Sequence, residues 1–206
     1  MLRRVVLLST IVNVFLGEET TPFRLHRDLL TLHSNYFANG LREAEKDKIS
    51  IETTPACFAD FVGWMYNGKI FKTEGHGSQL SYLWALGSLL EAPAFQNVCM
   101  DLCRLNYREY GPCVSMVKLA YEITEKGSLL RKFAADSMFY LNIFDKYEEG
   151  SPDLAQWKEL LKKYHDLSLL VASGSRNKWS GTAPVRLCKE HGPCPNMLTQ
   201  SSIVGP

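Results

Sequence analysis

The chain has 206 residues, of which 46% are hydrophobic and 22% are charged, a composition typical of a folded globular protein. This composition excludes a chain that is disordered throughout, and a net charge of +1 provides no overall basic field for holding nucleic acid. Residues 172–206 nevertheless carry 4 basic and only 1 acidic side chain, so this end differs in character from the rest. We expect no nucleic-acid partner.

The first predicted element is a strand in the apolar run from Val5 to Leu16. The basic start at Met1–Arg4 also resembles a secretory signal, but no small-residue cleavage site follows, which favours the strand. A polar turn leads to a second strand at Phe23–Leu25, and the pair predicts a hairpin. No apolar run reaches the length of a membrane span, so no membrane partner is expected.

Four more helices and strands are predicted before residue 79. In order they are a short helix at His26–Phe37, a half-exposed strand at Lys48–Glu52, a helix from Thr54 that Asn67-Gly68 ends, and a last short strand at Lys69–Phe71. Thr54 is a typical N-cap, and the proline after it suits the first helical position.

From Gln79 onward the apolar spacing is helical throughout. Five helices are predicted, with apolar stripes over residues 80–90, 95–102, 114–121, 130–141 and 154–164. Strands that come first and helices that follow indicate an α+β fold. Residues 172–206 contain 13 glycines, prolines and serines, which predicts a flexible tail.

The six cysteines have no regular spacing, and a chain of this size does not need disulfides to fold. We therefore expect a reducing compartment, cytoplasmic and/or nuclear. Cys99 and Cys103 share one helix face with apolar neighbours and are predicted to be buried thiols. Cys188, His191 and Cys194 have the ligand types of a zinc site, but they supply three ligands where a structural site takes four. They are weak metal candidates, and a loose cysteine-bearing tail is the alternative.

Catalytic motifs are missing from the sequence. His26 and Asp28 could suggest an acid–base pair, but no nucleophile motif and no glycine-rich phosphate loop occurs, so a structural histidine is favoured. The basic pairs Arg131-Lys132 and Lys162-Lys163 are predicted to lie on solvated helix faces. We expect no enzyme and no cofactor. A zinc- or thiol-dependent enzyme built on the tail residues is the less favoured alternative.

One set of spaced motifs extends over residues 9–140. A Phe-x-x-His-x-Asp-x-Leu pattern leads to Ser-x-Tyr-Phe, and a later helix ends in Tyr-x-Gly. The residues are Phe23, His26, Asp28, Leu30, Ser34, Tyr36, Phe37, Tyr66 and Gly68. This set resembles the BTB/POZ domain, and in particular the BTB proteins of filamentous fungi.

The resemblance implies a BTB/POZ fold over residues 1–106, a helical extension over 107–171 and the tail over 172–206. It also implies a non-enzymatic role in protein–protein association, through oligomerisation or recruitment of a partner. Leu41, Arg42 and Glu43 stand where family members that recruit cullin ubiquitin ligases have an apolar-x-Glu motif. A substrate adaptor with a cullin as partner is therefore the alternative function.

Overall fold

The computed structural model describes residues 8–43, 46–70, 77–140 and 142–173. The chain divides into two compact units, Met1–Cys103 and Arg104–Pro206. A small sheet and the helices around it form the first unit, and the second is helical in its described part. This arrangement confirms the predicted α+β class. No helix within the described ranges is long and apolar enough to cross a membrane.

The sheet contains β1 (Ile11–Leu16), β2 (Phe23–His26) and β3 (Lys48–Ile51) in the order β2-β1-β3. β1 and β2 are antiparallel, which confirms the predicted hairpin, and β3 runs parallel to β1. Alternate side chains of β1 are buried, namely Val12, Val14 and Leu16. One face of the central strand therefore belongs to the core, as period-two alternation requires.

The segment after β2 forms two helices, α1 (Arg27–His33) and α2 (Asn35–Gly40). The prediction of one helix over His26–Phe37 was wrong, because Ser34 has an extended backbone (φ −146°, ψ 120°). The Ser34 hydroxyl accepts a hydrogen bond from Phe37 N at 3.2 Å and donates one to Leu90 O at 2.5 Å. The first bond caps α2, and the second holds the break against a distant part of the unit.

The next helix, α3 (Pro55–Asn67), begins and ends as predicted. Thr54 accepts a hydrogen bond from Cys57 N, and Gly68 ends the helix in the left-handed conformation at φ 70°. The strand predicted at Lys69–Phe71 was wrong for its first two residues, which are not in a strand, and Phe71 lies outside the described residues. A run of three residues carries too little alternation to identify a strand.

Two longer helices follow, α4 (Gly77–Leu89) and α5 (Pro93–Tyr110), and the first unit ends within α5, at Cys103. Aromatic rings from α3 and α5 meet in the core, where Phe61 lies 5.0 Å from Phe95 and 6.0 Å from both Phe58 and Trp64 between ring centroids. Such edge and tilted arrangements stabilise aromatic clusters beyond the area that they bury.

The second unit contains α6 (Val114–Ile123), α7 (Leu129–Tyr140), a 3-10 turn (Ile143–Lys146), α8 (Pro152–Lys163) and α9 (His165–Ala172). Ser151 caps α8 by accepting from Leu154 N. Trp157 is fully buried in a cluster that includes Val117, Met138 and Leu167. The sequence did not predict α9, because no glycine or proline separates it from α8.

Candidate partner-binding site

The loop between α2 and β3 presents two charged side chains to solvent. Arg42 and Glu43 are exposed, whereas the Leu41 side chain is only 3% exposed and belongs to the core. α2 ends close to β3, since a Cβ added to Gly40 would lie 2.6 Å from Ile49 Cδ1. The structure thus places the three predicted contact residues together, with Leu41 facing inward and the other two facing outward. Their role in binding stays a prediction.

The guanidinium of Arg27 binds the backbone of this loop. Arg27 Nη1 donates to Leu41 O at 2.7 Å and to Glu43 O at 3.3 Å, and Nη2 donates to Lys46 O. Hydrogen bonds from a charged donor are stronger than neutral ones. The first residue of α1 therefore ties the exposed loop to the domain. This role could not be predicted from the sequence, because the partners are carbonyls 14 to 19 residues away.

The neighbouring residue, His26, connects the end of β2 to the end of α3. Its Nδ1 lies 2.7 Å from the Tyr66 hydroxyl, and its backbone N donates to the same oxygen at 3.5 Å. This is the structural histidine expected at the strand-to-helix corner. Asp28 does not contribute to a reactive pair here, since its side chain is exposed and its amide donates to Ser9 Oγ.

Removing the Tyr66 hydroxyl is expected to loosen this corner. The variant Tyr66→Phe loses the hydrogen bond to His26, and we expect about 1 kcal/mol lower free energy of unfolding in urea titration. Tyr82→Phe is the matched control, because Tyr82 is 47% exposed. Equal stability of the two variants would show that the His26–Tyr66 contact contributes nothing.

The other residues of the motif set hold the aromatic core and α2. Leu30 and Phe37 are fully buried, and the Phe23 ring meets Phe58 edge to face at 5.1 Å. The Tyr36 hydroxyl donates to Ser50 O at 3.2 Å, which connects α2 to β3. These residues therefore connect α2 to the aromatic core and to β3.

Burial is the main cause of a shifted pKa at two groups in the first unit. Burial raises the pKa of the Cys99 thiol, and the neighbouring Cys103 and Asp60 add to the effect. Both Cys99 and Cys103 are buried free thiols, as predicted, so Cys99 is a poor nucleophile. Burial also lowers the pKa of His33, whose ring lies 5.0 Å from that of Trp64.

The three weak metal candidates, Cys188, His191 and Cys194, lie outside the described residues. Within the described ranges, no group of three or more His, Cys, Asp or Glu side chains is placed to hold a metal ion.

In the second unit, the prediction that Arg131 lies on a solvated helix face was wrong. Its side chain is 14% exposed and not on a solvated face. It donates to Tyr121 O at 2.7 Å, to Thr124 O and to Asp166 Oδ2 at 3.3 Å, and its guanidinium stacks on the Tyr121 ring. Arg131 thus joins α6, α7 and α9. Burial raises the pKa of Tyr121 to about 12, Asp166 adds to this effect and Arg131 opposes it.

The other three residues of the two basic pairs, Lys132, Lys162 and Lys163, are exposed, as predicted. Lys162 and Lys163 are exposed and pair with Glu159 at 2.7 Å and Glu122 at 3.3 Å. Exposed pairs of this kind contribute little to stability.

One comparison with known proteins, that with family models, agrees with the motif set. The BTB/POZ domain family matches residues 7–106. One similar solved structure is the BTB domain of zebrafish PATZ1, with 21% identity and a TM-score of 0.38 over 46% of this chain and 75% of that chain. Another is the BTB (Tramtrack and Bric a brac) domain of human Gigaxonin, with 16% identity and a TM-score of 0.40. This match covers 49% of this chain and 83% of that chain. No curated protein matches the chain.

Proposed function

Residues 7–106 carry a BTB/POZ domain, a type of protein–protein interaction module, and we propose that this chain acts by binding proteins and not by catalysis. The observation that carries the proposal is the match of this segment to the family. The exposed loop with Arg42 and Glu43 supports it, because a charged loop held to a buried core suits recognition of a partner. The action is either self-association or recruitment of a different protein.

Three further proposals concern the compartment, the class of partner and the group of BTB proteins to which the chain belongs. The buried free thiols Cys99 and Cys103 support a reducing compartment, cytoplasmic and/or nuclear. The near-zero net charge supports protein partners over nucleic acid. The spaced motifs from Phe23 to Gly68 support placing the chain with the fungal BTB proteins.

Light scattering coupled to size-exclusion chromatography tests the general proposal. The purified chain should either elute at a multiple of 23.3 kDa or retain a specific protein when it is used as bait. A strict monomer that retains nothing would contradict it.

A narrower proposal is that the chain is a substrate adaptor that binds a cullin through Arg42 and Glu43. The exposure of the Glu43 carboxylate supports it, and so does its place after the buried Leu41. Charged groups of this kind steer partners and determine specificity.

Replacing Glu43 with alanine should therefore weaken binding of a purified cullin about tenfold, measured by biolayer interferometry. Glu18→Ala is the control, since it removes another exposed carboxylate, that of the β1–β2 turn. The adaptor proposal fails if wild-type protein does not bind, or if both variants bind as tightly as wild type.

A further inference from the structure

Arg27 is placed to determine the conformation of the exposed loop. Three loop carbonyls, those of Leu41, Glu43 and Lys46, accept hydrogen bonds from its guanidinium. The described part of this loop is neither helix nor strand, and its Leu41 and Lys46 amides donate to Phe37 O and Glu43 O. Guanidinium has rigidly placed donors, and one group can therefore fix several acceptors at once.

Arg27 is itself fixed in place by a hydrogen bond of its backbone and by a contact of the preceding residue. Arg27 begins α1, and its backbone N donates to Thr10 O at 2.8 Å. The preceding residue, His26, contacts the Tyr66 hydroxyl. The loop is thus connected through Arg27 to the sheet and to α3, and not only to its own ends.

We propose that Arg27 is a positioning residue that keeps the backbone at Leu41, Glu43 and Lys46 in one arrangement and so presents the Arg42 and Glu43 side chains for a partner. The effect on the partner rests on the function proposed above, whereas the effect on the loop does not. A loop that is ordered before binding loses less conformational entropy when the partner binds. Loss of the guanidinium should lower affinity in proportion to the fraction of loops that remain in the competent arrangement.

Hydrogen exchange on the full chain tests the loop directly. The amides of Leu41 and Lys46 donate to Phe37 O and Glu43 O, so each is a reporter of the loop. We expect these two amides to exchange about tenfold faster or more in Arg27→Gln, with amides of β1 unchanged. Arg27→Lys should give an intermediate rate, because an ammonium keeps the charge but cannot reach all three carbonyls at once. Arg24→Gln is the control, as it removes an exposed charge from β2.

The outcomes separate the proposal that Arg27 positions the loop from the proposal that the chain binds a cullin. Unchanged exchange at Leu41 and Lys46 in Arg27→Gln would overturn the inference, and so would equal acceleration in Arg24→Gln or throughout the domain. Faster loop exchange with unchanged affinity for a purified cullin would overturn the positioning role. If wild-type protein does not bind the cullin, the adaptor proposal fails, while loop exchange still decides whether Arg27 fixes the loop.

Discussion

The variant Phe61→Ala should lose about 3–5 kcal/mol of the free energy of unfolding. Phe61 is fully buried, and its ring contacts three other aromatic rings, those of Phe58, Trp64 and Phe95. Alanine would remove the ring and leave a cavity that the surrounding side chains close only in part. Because small domains are stable by only about 5–15 kcal/mol, this loss is a large fraction of the total.

Chemical denaturation followed by tryptophan fluorescence measures this effect, since Trp64 lies beside the substituted ring. Leu32→Ala is the control, because Leu32 is 58% exposed and should change stability by less than about 0.5 kcal/mol. A loss below about 1 kcal/mol in Phe61→Ala would mean that the aromatic cluster is not tightly packed.

The variant Trp157→Ala should have an effect of similar size in the second unit. Trp157 is fully buried on α8 and packs in the cluster that also contains Val117, Met138 and Leu167. Tryptophan is the largest side chain, and its removal from a core costs about 3–5 kcal/mol. We expect hydrogen exchange in α7 and α8 to accelerate accordingly.

A second substitution separates volume from polarity at this position. The Trp157 indole nitrogen is buried and has no hydrogen-bond partner among the described residues. Trp157→Phe therefore removes an unsatisfied donor while it keeps an aromatic ring, and it should cost clearly less than Trp157→Ala. Leu169→Ala is the exposed control, at 70% exposure. Equal losses in the phenylalanine and alanine variants would contradict packing as the source of stability.

Elements with local signals could be predicted from the sequence. Thr54-Pro55 and Ser151-Pro152 both begin helices as expected, because an N-cap side chain bonds an amide only three residues away. The β1–β2 hairpin was likewise predicted from an apolar run and a polar turn. These features depend on neighbours in the chain, which the sequence shows directly.

Features that depend on distant partners could not be predicted in this way. Arg131 was predicted to lie on a solvated face and Arg27 was given no role, yet both donate to backbone carbonyls of other segments. Backbone carbonyls are present at every residue and leave no mark in the sequence. The positions of Leu41, Arg42 and Glu43 in one loop followed from their adjacency, but the inward direction of Leu41 required the fold.

The break at Ser34 has a consequence for the order of folding. The Leu90 carbonyl that accepts from its hydroxyl also accepts from the Tyr36 amide, and the Asn35 amide donates to Glu91 O. These contacts join segments 56 residues apart, so they can form only after a long loop has closed. The bond that caps α2 joins Ser34 to Phe37, only three residues away, and needs no such closure, so the break between α1 and α2 has a local part and a long-range part.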